Sequence, residues 1–163
     1  RRIAAVCDEE DADILVGYDP SGGYAHPDHV QVHRAVRVAV SLCRRPPRLF
    51  EATLPREPIA AAVRTAARLR LTPSDFDASE FARAWTPRAQ ITHRVDVRAQ
   101  LPQKDAALRA HASQAAADGT TRTLGVLTRL PRPLQALLLG TEYYVCVDDA
   151  HSRSASSARD GLS

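Results

Sequence analysis

The chain has 163 residues and a formal net charge of only +3, and it lacks any run of five like charges, so a nucleic-acid-binding protein is not indicated. Its three cysteines are far apart and form no CxxC pair, which argues against a disulfide scaffold or a cysteine zinc finger and favours a cytoplasmic location. Its apolar runs fall far short of the ~18 residues that span a bilayer, and no signal segment opens the chain, so we expect no membrane span.

The sequence contains no methionine. Because translation starts at methionine, we expect the chain to be part of a longer protein. Its length suits one core, and we expect residues 1–151 to belong to one domain. Residues 152–163 are rich in Ser, Arg, Ala and Gly and hold one large apolar residue, Leu162, so they are predicted to form a disordered tail.

The first predicted strand is the apolar run Ile14–Val16, which lies between Asp13 and Gly17. Such a short, wholly apolar run is typical of a strand buried on both faces of a parallel sheet. Residues 19–23 follow as a turn, in which two glycines can take positive φ. Ligands of open α/β sheets bind beyond the carboxyl ends of the strands, which is where this turn falls.

A helix is predicted to start at Pro27, because proline suits the first helical position, and His26 is its expected N-cap. Residues three and four apart share a helix face, so His26, His29 and His33 should lie near one another. The helix should pack on a sheet through an apolar stripe. That stripe consists of Val32, Ala35, Val36, Ala39 and Cys43.

The remaining elements complete an α/β pattern. We expect a short strand near Leu49 and Phe50, a strand with period-2 alternation from Ile91 to Val97, and a last strand over 142–147. Helices are predicted from Ile59 to Leu69, ending at a turn over 72–75, from Pro102 to a stop at 118–120, over 124–130 and over 134–139. Trp85 and His111 are predicted to be packing residues. The predicted architecture is the back half of a Rossmann-like, mostly parallel sheet flanked by helices.

The central motif offers metal and acid/base chemistry. A catalytic zinc takes about three protein ligands and keeps one position open for water. His29 and His26 are candidate ligands, or one binds the metal while the other acts as a general acid or stabilises an oxyanion. Asp28 could then fix the tautomer of that histidine, and Tyr24 could donate its phenol to the developing charge. HxxH at a helix start is a weak signal by itself, and the spacing alone favours a histidine that only caps the helix.

The motif resembles a known family. Tyr18–Pro20 and Gly22–Arg34 are similar to the second motif of the zinc-dependent deacetylases related to the GlcNAc-phosphatidylinositol deacetylase (LmbE-like) family. Within that family they are most similar to the mycothiol-pathway deacetylases that act on a GlcNAc-inositol. Weaker similarity covers most of residues 11–147, in the segments His93–Val97, Lys104–Leu108, Ala110–Gln114 and Glu142–Val145.

The resemblance implies roles for four residues. His29 would be a zinc ligand, His26 would polarise the amide carbonyl or protonate the leaving amine, Asp28 would orient His26, and Tyr24 would be a mobile residue over the oxyanion. The family's other two ligands and its general base lie in an N-terminal His-Pro-Asp-Asp motif, which this sequence lacks. Residues 1–151 would then be the C-terminal part of one deacetylase domain, inactive alone.

The resemblance also implies a reaction, the zinc-dependent hydrolysis of the N-acetyl group of a small-molecule N-acetylglucosaminide. Two alternatives stay open. One is an amidase that cleaves mycothiol S-conjugates, which shares the motif. The other is a noncatalytic sugar-binding remnant of the fold. The sequence does not predict an oligomeric state.

Overall fold

The computed structural model describes residues 1–70, 84–110 and 129–148 of the chain. Several predicted features lie outside these residues: the turn at 72–75, His111, the helix stop at 118–120, residues 124–128 and the tail over 152–163. The chain divides into two compact units, one of Arg1–His93 with Tyr143–Ser163 and the other of Arg94–Glu142. No helix within the described ranges is long and apolar enough to cross a membrane.

The described elements alternate between helix and strand, which confirms the α/β class. In chain order they are α1 (Arg2–Glu9), β1 (Ile14–Tyr18), the distorted turn α2 (Gly22–Ala25), α3 (Pro27–Val40), β2 (Arg48–Thr53), α4 (Arg56–Arg68), β3 (His93–Asp96), α5 (Leu101–Ala110), α6 (Arg132–Leu139) and β4 (Thr141–Cys146). Short 3₁₀ turns cover Arg88–Gln90 and Arg98–Gln100.

The sheet is mixed, with the strand order β1-β2-β4-β3. Strands β1 and β2 are parallel, with Val16 opposite Phe50, and α3 connects them, so β1, α3 and β2 form a βαβ unit. Strand β4 runs antiparallel to β2, with Cys146 opposite Phe50. The ligand-binding end of this βαβ unit is therefore the end of β1, directly before the central motif.

The core of the first unit lies between α1 and α3. It is built by Ala4, Cys7, Ala39 and Cys43, with Leu15 of β1 packed against it. All three cysteines of the chain are buried free thiols. Burial and the neighbouring Cys7 raise the pKa of the Cys43 thiol above its ordinary value, so both groups act as small apolar core residues.

Strand β1 is present, but the prediction that it is buried on both faces is wrong. Ile14 is 56% exposed and Val16 is 53% exposed. Only the opposite face of β1 is covered, and Gly17 lies so close to α3 that an added Cβ would be 2.7 Å from Val36 Cγ2. The reason is topological, since β1 is an edge strand of the described sheet and none of the described elements covers its second face.

The start of α3 at Pro27 is confirmed, and its stripe is confirmed only in the second half. Val36, Ala39 and Cys43 are buried, whereas Val32 and Ala35 are exposed because no described element packs on them. Helix α4 begins two residues before Pro58, which sits in the first turn, where its missing N–H is not needed.

The strand predicted from Ile91 to Val97 is shorter than expected. It covers only His93–Asp96, and Val95, expected on the buried face, is 45% exposed. In the second unit the backbone N–H of Val97 donates to the Gly140 carbonyl oxygen, and Lys104 Nζ bonds Glu142 Oε1 at 2.8 Å. The helix predicted over 134–139 is present as α6.

Candidate active site

A glycine loop, defined here as residues 19–26, joins β1 to α3 and carries the motif. Gly22 has φ +63° and Gly23 has φ +69°, and Ala25 also takes a positive φ, of +66°. The left-handed region costs a residue with a Cβ roughly 1–2 kcal/mol, which explains the glycines and makes Ala25 a strained position. The predicted glycine turn is confirmed.

Gly22 has no room for a side chain. A Cβ there would lie 2.8 Å from the backbone nitrogen of Val30 and 2.9 Å from Val30 Cγ2. We expect Gly22→Ala to lower the free energy of unfolding by roughly 2–5 kcal/mol, the sum of left-handed strain and overpacking. Denaturant titration measures this loss.

Ala25→Gly is the matched control for that substitution. It removes the strain of a left-handed alanine but adds conformational entropy to the unfolded chain, so its net effect should stay within about 1 kcal/mol. A Gly22→Ala variant as stable as the unsubstituted chain would contradict the packing argument.

Three aromatic rings converge where the glycine loop meets α3. The ring centroids of His26 and His29 are 4.8 Å apart, those of Tyr24 and His29 are 5.4 Å apart, and those of Tyr24 and His26 are 5.9 Å apart. Tyr18, the last residue of β1, stacks on His29 with a centroid distance of 4.0 Å and an interplanar angle of 4°. The structure therefore brings the predicted site residues Tyr24, His26 and His29 together.

The ring of His29 is held with one nitrogen available. Its Nδ1 lies 3.2 Å from the carbonyl oxygen of Gly22. A carbonyl only accepts hydrogen bonds, so Nδ1 carries the proton and Nε2 keeps its lone pair. Histidines that bind metals are typically oriented in this way, with the second ring nitrogen donating to a carbonyl or carboxylate. His29 therefore suits the role of a metal ligand.

The ring of His26 is held in the opposite tautomer. Its Nδ1 accepts a hydrogen bond from the backbone N–H of Asp28 at 3.2 Å, which makes His26 the N-cap of α3 as predicted. The bond uses the lone pair of Nδ1, so in the neutral ring the proton is on Nε2. His26 can therefore donate a hydrogen bond from Nε2, whereas His29 can accept or ligate through Nε2.

Asp28 contacts His26 through its backbone and not through its carboxylate. The carboxylate is exposed in the first turn of α3, where a negative charge interacts favourably with the helix dipole. The Nδ1 of the His26 ring is already occupied by the backbone N–H of Asp28, so the carboxylate could contact only the Nε2–H of that ring. This contact stays a prediction.

His33 lies one turn farther along α3 and binds a buried carboxylate. Its Nδ1 is 3.0 Å from the Tyr18 carbonyl oxygen and 3.2 Å from Glu51 Oε1, so this nitrogen is a donor. The Glu51 side chain is 3% exposed and also accepts from Arg37 Nε and Nη2, both at 2.9 Å. These contacts of His33 and Arg37 hold α3 against β1 and β2. Sequence reasoning missed Glu51, although a glutamate inside the apolar run of β2 was a signal.

Asp19 is a second buried carboxylate that sequence reasoning missed. It is fully buried, and its Oδ1 accepts from Ser21 Oγ at 2.8 Å and from the Gly23 backbone N–H at 2.9 Å. Its Oδ2 accepts from Thr53 Oγ1 at 2.5 Å. Buried charge is tolerated when it is hydrogen-bonded in this way. The sequence offered only its place in the turn as a signal.

The described residues do not by themselves form a three-ligand metal site. Within residues 1–70, 84–110 and 129–148, no group of three His, Cys, Asp or Glu side chains could hold a metal ion. The ring of His29 has an orientation that suits a single metal ligand. No protein-family model matches the chain.

Curated proteins from several species match the chain. The 1D-myo-inositol 2-acetamido-2-deoxy-alpha-D-glucopyranoside deacetylase of Saccharomonospora viridis is 40% identical over 113 residues, which is 69% of this chain and 42% of that protein. The protein of the same name from Acidothermus cellulolyticus is 36% identical over 81% of this chain and 44% of its own length. The chain belongs to the family of these deacetylases.

The matches cover most of this chain but less than half of the length of the relatives named here. A deacetylase of the same name from Mycobacterium sp. (strain KMS) is 32% identical over 91% of this chain and 47% of its own length. The chain thus spans about half the length of the curated relatives it matches. The resemblance that the central motif indicated is confirmed, and the roles of its residues within this family are proposals.

Proposed function

We propose that the protein is an N-deacetylase that hydrolyses the acetamide of a 2-acetamido-2-deoxyglucopyranoside linked to inositol, as its relatives are named to do, and that it needs zinc. The observation that carries the proposal is that the two rings at the first turn of α3 are held through Nδ1 by opposite partners, the Gly22 carbonyl oxygen at His29 and the Asp28 backbone N–H at His26. His29 presents an Nε2 lone pair and His26 presents an Nε2–H within one cluster of rings. A helix cap alone requires the His26 bond but not the oriented ring of His29.

Amide hydrolysis needs a group that stabilises the negative charge on the carbonyl oxygen and a proton for the departing amine. His26 can supply the first of these from Nε2–H, because its Nδ1 is held by the Asp28 backbone and its ring is fixed in that orientation. Tyr24 is 39% exposed beside it and can donate its phenolic hydrogen to the same oxygen. These two donors are this chain's contribution to the transition state.

His29 would hold the zinc, with the Gly22 carbonyl and the Tyr18 ring keeping its Nε2 in place. When bound, zinc would supply a Lewis acid that polarises the amide carbonyl and acidifies water. Asp28 would act on His26 through the backbone N–H, and its carboxylate would add negative charge next to the site. The other zinc ligands would come from residues outside the described ranges.

The test of this proposal uses protein produced from the full gene. We expect purified protein to release a primary amine from GlcNAc-inositol, to lose this activity after treatment with a chelator, and to regain it with added zinc. Amine release is measured with an amine-reactive fluorophore. A zinc-loaded protein that binds the glucosaminide but releases no amine would contradict the enzyme and indicate a sugar-binding remnant.

A mycothiol S-conjugate as a second substrate distinguishes the two amidase activities. If the protein is the deacetylase, turnover of GlcNAc-inositol should exceed turnover of the S-conjugate. The reverse order would assign the protein to the amidases that cleave S-conjugates. Both assays use the same protein preparation and the same zinc concentration.

A further inference from the structure

A polar network centred on the buried carboxylate of Asp19 joins three segments of the first unit. Asp19 Oδ1 fixes the glycine loop through Ser21 Oγ and the Gly23 N–H, and Oδ2 binds Thr53 Oγ1 at the end of β2. The Thr53 hydroxyl has one hydrogen, which goes to the carboxylate, so the Thr86 hydroxyl 2.9 Å away donates to Thr53. The network therefore reaches the segment 84–86.

The segment 84–86 is bound to the glycine loop at two further points. The backbone N–H of Trp85 lies 3.1 Å from Ser21 Oγ and 3.2 Å from the Gly23 carbonyl oxygen. Arg56 holds the Trp85 carbonyl oxygen through Nη2 at 2.6 Å. Trp85 itself has a positive φ of +60°. Ser21 thus accepts from Trp85 while it donates to Asp19.

The glycine loop would not keep its shape by itself. Gly22, Gly23 and Ala25 have positive φ, and Tyr24 has a non-helical conformation, with φ −91° and ψ 34°. Such conformations persist where the surroundings determine them. Asp19, the first residue of this loop, is fully buried and accepts hydrogen bonds from Ser21 Oγ and the Gly23 N–H. Tyr24 and His26 belong to the same loop, so their positions depend on the hydrogen bonds that Asp19 accepts.

We propose that Asp19 is a positioning residue for the deacetylase reaction. It holds the glycine loop and the segment 84–86 so that Tyr24 and His26 face His29. The inference rests on the proposed function, because it assigns Asp19 to the donors of that reaction. Asp19 does not touch the substrate in this role. It acts through the backbone of Gly23 and through Ser21.

The kinetic test compares Asp19→Asn with the unsubstituted protein, both produced from the full gene. Asparagine has nearly the same shape but is neutral and presents an amide NH₂ in place of one oxygen, so one of the three hydrogen bonds is lost or must reverse its direction. Misplacement of a catalytic group by about 1 Å costs on the order of 10²-fold, so kcat should fall roughly 10- to 100-fold. KM and bound zinc should change little. The exposed Asp11, changed to Asn, is the matched control and should leave kcat unchanged.

Thr53 provides a second pair of variants in case Asp19→Asn does not fold. Thr53→Val removes the donor to Asp19 at nearly constant volume and should lower kcat. Thr53→Ser keeps the hydroxyl, so its kcat should be close to that of the unsubstituted protein. Equal kcat values per folded molecule in the Val and Ser variants would overturn the proposal. So would an Asp19→Asn variant whose rate falls only with its folded fraction.

An optical measurement tests the anchor independently of activity. Trp85 is the only tryptophan in the 163-residue chain, so its fluorescence reports on the segment that Asp19 holds. Asp19→Asn and Thr53→Val should shift its emission to longer wavelength and increase quenching by acrylamide, and Thr53→Ser should do neither. Unchanged spectra would overturn the anchor. If the unsubstituted protein had no deacetylase activity but the variants still showed these spectral changes, the proposed function would be contradicted. The role of Asp19 in holding the segment 84–86 would not be.

Discussion

Replacing His29 with alanine should remove bound zinc and deacetylase activity together. The ring is fixed by the Gly22 carbonyl and the stacked Tyr18, with Nε2 as the available nitrogen, and alanine has no such nitrogen. Loss of a residue that only orients a metal ligand costs roughly 10- to 100-fold, so loss of the ligand should cost more than about 100-fold. The measurement is metal analysis beside steady-state kinetics on the gene-encoded protein.

His29→Asn separates ligation from packing. The asparagine amide can still donate to the Gly22 carbonyl from about the position of Nδ1, but it has no atom at Nε2. We therefore expect it to lose zinc like the alanine variant while keeping more of the stability. His33→Asn is the control on the same helix, because His33 uses Nδ1 for Tyr18 and Glu51 and has no proposed metal role. Zinc retained in His29→Ala would contradict the assignment.

Local rules predicted the centre of the site well. Proline at the first helical position and a polar residue before it are signals that act over a few residues, so the start of α3 and the cap at His26 followed from sequence alone. The glycine turn followed from the same kind of rule. The convergence of Tyr24 and His26 on His29 then follows from helical spacing plus the turn.

Burial and long-range contacts could not be predicted in this way. The exposure of Ile14 and Val16 depends on which elements cover β1, and a short apolar run does not contain that information. Thr53 and Asp19 are 34 residues apart in sequence, so their hydrogen bond depends on the pairing of β1 with β2.

The family resemblance added what local physics could not. Spacing alone left His26 as a cap or a catalytic group, and the structure shows that the capping bond and the proposed donor use different nitrogens of one ring. The two interpretations are therefore compatible. A substitution at His26 must accordingly distinguish a loss of stability from a loss of transition-state stabilisation.

His26→Ala should lower kcat by on the order of 10² to 10³, or roughly 3–4 kcal/mol, with little change in KM and with zinc retained. Its Nε2–H is proposed to stabilise charge that appears only in the transition state, and one such donor contributes about this much. Alanine also removes the N-cap of α3, which should cost a further 0.5–2 kcal/mol of folding stability, approximately the range for lost caps. Kinetics, zinc content and denaturation are measured on the same preparations.

His26→Asn separates the two effects. Asparagine is among the best N-cap residues, and its side-chain oxygen can accept from the Asp28 N–H in place of Nδ1, so stability should be close to that of the unsubstituted protein. It has no donor at the position of Nε2, so kcat should be as low as in the alanine variant. If His26→Asn restored the rate together with the stability, His26 would only cap the helix. If either variant lost its zinc, His26 would be a ligand and its proposed role as donor would fail.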